Sequence, residues 1–261
     1  MKIKLIKSDD PNKLSFILSD SYFEFANSLR RALITEVPVM AVDEVNFIKN
    51  SSAFYDEMIA LRLGLIPLIS DSKTYNLRSD CSCKGKGCAK CTCILSLNIK
   101  GPKIVTAGDL KSSDPKIKPV NPDIPIIKLF GKQELKFEAK AILGFGRDHA
   151  KWTASMASYQ YYPIINLNGC AHKESFDACP KKVFDYTNKK LTVKELEACD
   201  LCLACADACP KKEIEVKGDE TKFIFNVESW GQYKAIDLLN QAITALDNKF
   251  NEFKELTKGS E

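Results

Sequence analysis

Histidine is scarce in this chain: only His149 and His172 occur among 261 residues. No HExxH zinc-hydrolase pattern, GxSxG nucleophile elbow or glycine-rich phosphate loop is present, so no self-sufficient active site is expected. No apolar run approaches the ~20 residues that a bilayer helix needs. The opening MKIKLIKSDD turns polar before a signal-peptide core could form, and the expected location is therefore cytoplasmic, away from membranes. Charge of one sign is also lacking. Lys and Arg total 38 against 34 Asp and Glu, a net +4, which excludes a dedicated polyphosphate-binding surface and suits a solvated surface with a slight cation excess. The length permits one large domain or a few small ones, and 45% hydrophobic with 28% charged residues is ordinary globular composition.

What the chain does have is cysteine, eleven in all. Five lie between Cys81 and Cys93 and six between Cys170 and Cys209. Without an export signal, such clustering argues for metal ligation in a reducing compartment rather than a disulfide framework. Two cysteine-free ends and a cysteine-free middle surround these clusters.

The first end reads as a strand over Lys2–Lys7, turn chemistry at Asp9-Asp10-Pro11-Asn12, and a second strand from Leu14 to Leu18. Asp20 or Ser21 can cap a helix that runs to Val37, where Pro38 stops it. Tyr22, Phe25, Ala26, Leu29, Ala32 and Leu33 recur on one face of that helix, with Arg30 and Arg31 on the other. The last end is a strand at Phe223–Val227 followed by a long helix. Ser229 with Gln232 reads as its capping box, and Ala235, Ile236, Leu239, Ala242, Ile243, Leu246, Phe250 and Phe253 form its apolar stripe, ending in a fraying tail from Leu256 to Glu261. Strand character marks Val42–Ile48, Ile94–Lys100 and Glu134–Leu143, and four prolines between Asp114 and Pro125 mark a loop. Asp56-Glu57 reads as the charged start of a helix, not as an acid–base pair.

Cys199, Cys202, Cys205 and Cys209-Pro210 follow C-x2-C-x2-C-x3-C-P, the bacterial ferredoxin pattern. In that pattern the fourth cysteine serves another cluster, so the local one needs a remote ligand, and Cys179-Pro180 matches. A duplicated module would carry ligands at 169, 172, 175 and 179, but Gly169, His172, Ser175 and Cys179 stand there. One cluster is therefore expected, held by Cys179, Cys199, Cys202 and Cys205, with 4Fe-4S favoured over 3Fe-4S. Cys209 is left as a free thiol or as a disulfide partner of Cys170 or Cys179. Zinc is the competing occupant of the run. In the earlier cluster, Cys81, Cys83, Cys88 and Cys91 could surround a zinc ion, with Lys84, Lys86 and Lys90 offsetting thiolate charge; an unmetallated loop and disulfides are the alternatives.

Three stretches together resemble a known family. Phe25-Ala26-Asn27-Ser28-Leu29-Arg30-Arg31-Ala32-Leu33 with Val37-Pro38 looks like the signature helix of alpha-type RNA polymerase subunits. Asp56-Glu57-Met58-Ile59-Ala60-Leu61-Arg62-Leu63-Gly64-Leu65-Ile66-Pro67 looks like their second block, and His149-Ala150-Lys151-Trp152 resembles the archaeal and eukaryotic branch. With its ferredoxin-like insertion, the chain resembles the archaeal branch of that family known as Rpo subunit 3. The resemblance implies an α+β fold: a discontinuous dimerisation domain (1–40 plus 220–261), a β-rich insert domain (41–164) holding the 81–93 loop, and a ferredoxin-like iron–sulfur domain (165–219). It implies a non-catalytic scaffold that pairs with the small subunit L. With subunit N, the heterodimer would receive the second-largest catalytic subunit near Arg30–Arg31 and Arg62-Leu63-Gly64. Some family members hold two clusters, whereas this insertion keeps one complete ligand set. The alternative functions are an electron-transfer subunit of an oxidoreductase, which the missing flavin and nucleotide sites disfavour, and a nucleic-acid-binding module, which the modest charge disfavours.

Overall fold

The structure, a computed structural model, describes residues 1–6 and 9–258. In chain order it comprises β1 (Lys2–Ile6), β2 (Lys13–Ser19), α1 (Phe23–Thr35), β3 (Val39–Asn50) and α2 (Asp56–Leu65). Then follow β4 (Cys93–Lys100), β5 (Lys103–Thr106), β6 (Lys111–Ser112), β7 (Pro125–Leu129), β8 (Glu134–Gly144) and β9 (Ser155–Asn166). The last third holds α3 (Lys173–Asp177), β10 (Phe184–Thr187), β11 (Lys190–Val193), α4 (Ala204–Asp207), β12 (Glu215–Ser229) and α5 (Ala235–Lys258). Lys7 of the expected first strand and residues 259–261 of the expected tail lie outside the described residues. Among the described residues, no helix is long and apolar enough to cross a membrane.

The chain divides into two compact units. One is built on Ser158–Asn226 with Leu14–Ser28. Its sheet has the order β1-β2-β12-β9, and β1 pairs antiparallel with β2 from Lys2↔Ser19 to Ile6↔Ser15. Phe16 and Phe225 stack at 4.8 Å between centroids, and Tyr159 lies 5.4 Å from Phe225, so aromatic faces fill this core. Because β9 and β12 are neighbours in the sheet, the residues between them leave and return at adjacent points. They form a small cysteine-rich lobe with the hairpin β10–β11 and the short helices α3 and α4.

The other unit is built on Leu29–Ala157 with the C-terminal helix. Its sheet has the order β3-β8-β4-β6, and β5 pairs with β7 beside it. Alternation along β4 buries Cys93, Leu95 and Leu97 on one face, which pack with Phe137, Ala139 and Ala141 of β8 and with Ile59 and Leu63 of α2. Gly144 must lack a side chain, since a Cβ there would lie 2.3 Å from the Trp152 ring.

Both terminal helices depart from their expected starts. α1 begins at Phe23; Asp20 adopts a left-handed φ of 55°, and the Ser21 hydroxyl is buried without a partner, so neither residue caps. Ala26, Leu29, Ala32 and Leu33 are buried as expected, but Tyr22 lies outside the helix and is exposed. Ser229 and Gln232 form no capping box. Ser229 Oγ donates to the Tyr233 carbonyl at 2.5 Å and accepts from Gly231 N–H at 2.9 Å, which shapes the turn ahead of α5.

Candidate metal centres

The first centre occupies the loop ahead of β4. Left-handed backbone at Lys84, Gly85 and Gly87 curls the chain so that Cys81, Cys83, Cys88 and Cys91 converge, all four sulfurs lying within 4.8 Å of one another. The Sγ separations are 3.6 Å for Cys81–Cys88, 3.6 Å for Cys83–Cys91 and 3.9 Å for Cys88–Cys91. Four sulfurs each about 2.3 Å from a tetrahedral zinc ion would stand about 3.8 Å apart, so the group fits one such ion. Cys93 belongs elsewhere: it starts β4, is buried in the core, and meets the Ser112 and Ser113 hydroxyls.

The thiols share protons unequally. The Cys83 amide lowers Cys81, but burial and the neighbouring thiols outweigh it and push Cys81 up to about 11. Burial raises Cys83, but the Cys81 thiol, the Gly87 amide and the other two thiols bring it down to about 6. Thiolate is thus already favoured at one ligand, the form a metal takes up. The cation the sequence reading missed is Arg78. Its Nη2 would lie 3.5 Å from a Cβ on Gly87, its charge interacts with Cys91, and Nη1 donates to Glu44 Oε1 at 2.9 Å on β3. Lys84, Lys86 and Lys90 point to solvent. Only its place three residues before Cys81 marked Arg78 in the sequence.

The second set lies in the lobe between β9 and β12. Cys199 and Cys205 are buried, Cys179 is half-buried and Cys202 is exposed. Leu201 and Leu203 adopt φ of 60° and 63°, a conformation that costs a non-glycine residue about 1–2 kcal/mol and winds the loop tightly. The Leu201 amide faces the Cys199 sulfur, the Ala206 amide faces Cys205, and Val183 N–H lies 3.5 Å from Cys179 Sγ. Burial raises Cys199, and Asp200, Cys179 and Cys202 add to the effect. Burial likewise pushes Cys205 up to about 11, helped by Cys179 and Cys199. Cys179 thus lies near both Cys199 and Cys205, and Cys202 near Cys199, but the four sulfurs do not converge within 4.8 Å of one another as those of the Cys81 group do.

Cys170 and Cys209 meet each other instead, Sγ to Sγ 3.4 Å, both buried and not bonded. Burial raises Cys170. Burial raises Cys209 too, but the Glu213 amide, the Cys170 thiol and the Lys211 and Ile214 amides outweigh it and leave it lowered. The two histidines take no part in the Cys81 group. His149 Nδ1 accepts from Lys151 N–H at 3.0 Å and caps a short turn, a structural task.

The insert domain of Rpb3/RpoA-type RNA polymerase subunits matches residues 45–164. Over nearly the full length, the chain is similar to the DNA-directed RNA polymerase subunit Rpo3 of Methanosarcina acetivorans (38% identical over 259 residues, 97% of this chain and 96% of that one). It is similar to Rpo3 of Archaeoglobus fulgidus (38% over 260 residues, 98% and 97%) and to RNA polymerase II subunit rpb3 of Dictyostelium discoideum (37% over 285 residues, 97% and 93%). A mixed α/β chain with the insert domain in place, alike end to end with these subunits, belongs to the Rpo3 family of DNA-directed RNA polymerase subunits.

Proposed function

We propose that the chain is a non-catalytic assembly subunit of a DNA-dependent RNA polymerase, with nucleotidyl transfer carried by other chains. The observation that carries this reading is its end-to-end likeness to Rpo3 and Rpb3 subunits. Residues 1–40 with 220–261 act as the discontinuous dimerisation domain, 41–164 as the insert domain and 165–219 as a ferredoxin-like domain. The partner for the first is the small subunit L. α5 supports this: its first turns bury Ala235, Leu238, Leu239 and Ala242, yet further along Phe250 and Phe253 stand 62% and 67% exposed. Such a continuing apolar face is what a second chain would cover.

Subunit N and the second-largest catalytic subunit complete the platform. At the α2 block, Leu63 and Gly64 are buried within this chain, so the surface offered is Leu61, Arg62 and Leu65. Arg62 is pre-set, donating to the Ile126 carbonyl at 2.7 Å and lying over the Phe54 ring.

The metal content proposed is one iron–sulfur cluster on Cys179, Cys199, Cys202 and Cys205, four irons favoured, and one zinc on Cys81, Cys83, Cys88 and Cys91. Amides aimed at the cysteine sulfurs and the left-handed turns at Leu201 and Leu203 support the cluster, since concave backbone of this kind suits anionic iron–sulfur centres. The cluster would supply a cationic core that ties the turn after α3 to the 199–205 loop. The test is co-purification from tagged chain under anaerobic conditions with iron, sulfide and zinc analysis. Recovery of large polymerase subunits with about four irons per chain is expected; recovery of a reductase partner instead would favour electron transfer and overturn the proposal.

A further inference from the structure

The hexapeptide Asp-Ala-Cys-Pro-Lys-Lys occurs twice, at 177–182 and 207–212. Each copy follows a short helix, and each ends on a lysine, Lys182 or Lys212, with φ of 52°. The backbone closes alike in both, Lys182 N–H to Cys179 O and Lys212 N–H to Cys209 O. Cys209 is thus the structural twin of Cys179, and it faces Cys170 in the degraded half of the repeat. There Gly169, His172 and Ser175 stand where a cluster would need thiolates, and two cysteines alone cannot span four irons.

That half nevertheless gathers ligand atoms. Cys170 Sγ and Cys209 Sγ lie 3.4 Å apart, with the residues only 3% and 2% exposed. A Glu213 carboxylate oxygen lies within 4.8 Å of both sulfurs. The Ser175 hydroxyl, wholly buried, sits beside Cys170 and has no oxygen or nitrogen partner. Two sulfurs bound to one tetrahedral ion stand about 3.8 Å apart, a few tenths beyond the spacing found.

We propose that Cys170, Cys209 and Glu213 bind a single borderline-soft divalent cation of the zinc type, with the Ser175 hydroxyl at the open fourth position. Two thiolates and a carboxylate more than neutralise the ion, and its uptake releases the thiol protons to solvent. The ion joins the first residues of the lobe to its last, closing the insertion at its neck. This site does not depend on the neighbouring iron–sulfur proposal, because zinc and iron are counted separately.

The experiment uses the full chain, purified anaerobically, with zinc alone as the probe. Cys170→Ser and Cys209→Ser are expected to lower bound zinc by about one ion per chain while iron is unchanged, and Cys91→Ser to remove a different zinc. Glu213→Gln, at a partly exposed position that leaves the fold intact, should weaken zinc binding by at least the ~10-fold that losing even an outer-shell partner costs. Zinc content unchanged in both cysteine variants, or unchanged affinity in Glu213→Gln, overturns the proposal. So does loss of iron in the cysteine variants, or a native mass under non-reducing conditions lighter by the two thiol hydrogens of Cys170 and Cys209.

Discussion

Arg78 and Glu44 show how much a candidate metal loop can owe to residues outside its ligand set. Glu44 accepts from Lys140 Nζ at 2.8 Å and from Arg78 Nη1 at 2.9 Å, and its carboxyl is held low chiefly by the Lys140 hydrogen bond, then by Arg78. A lowered carboxyl stabilises the fold above the ordinary carboxylate range near 4.5, and that contribution fades as pH falls through the lowered value. The pair is partly exposed, so Glu44→Gln should cost no more than about 1 kcal/mol at pH 7 and less at high salt. Denaturation of parent and variant at pH 7 and pH 3 checks this: the difference should shrink at the lower pH. Arg78→Met removes the cation facing Cys91 and should weaken zinc binding about 10- to 100-fold in a chelator competition, leaving the number of sites unchanged. Gly144→Ala drives a methyl into the Trp152 ring and should destabilise the insert unit by about 1–3 kcal/mol, read from denaturant midpoints.

At the scale of elements, α5 makes the sharpest prediction. Phe250→Glu should leave the stability of the isolated chain within about 0.5 kcal/mol, because the ring is already in water, yet abolish recovery of a small partner subunit in co-purification. The stripe itself was legible in the sequence, since helical period shows which residues share a face; which part of the stripe stays uncovered was not, because that depends on the chain's own core. The strands at Leu14–Leu18, Ile94–Lys100 and Glu134–Leu143 were legible for the same reason and lie within β2, β4 and β8. Caps were misread at Ser21 and Ser229: a hydroxyl at the right spacing does not reveal whether the backbone before it turns left-handed or forms another turn. The spacing of the first cysteine group offered five candidate ligands and Cys81, Cys83, Cys88 and Cys91 as the simplest four, but only the structure separates Cys93, which starts β4 and is buried in the core. Arg78 was not legible, because second-layer partners are chosen by three-dimensional proximity. The repeated Asp-Ala-Cys-Pro-Lys-Lys was present to be read, and it assigns Cys209 as the twin of Cys179 more directly than ligand counting does.

For the whole molecule, the question is what the proposed metals would do in an assembly subunit. The lobe between β9 and β12 is under 50 residues by the numbering of its flanking strands, a size at which burial alone seldom supports a fold. Its core is small, and four of its eight fully buried members are cysteines, Cys170, Cys199, Cys205 and Cys209. Without metal the neutral thiols add only packing to that small core; with metal, as proposed, the same groups would become cross-links. Cys202→Ser tests this cleanly, since the side chain is exposed and its loss leaves no cavity. The variant should lose the visible iron–sulfur absorption, become open to proteolysis within 167–214, and assemble into polymerase less completely. The enzyme that does assemble should elongate RNA at the parent rate, because the proposed role of the cluster is to hold the lobe together. If Cys202→Ser instead assembled normally and slowed elongation, the metal would be coupled to chemistry, and the scaffold reading of this lobe would fail.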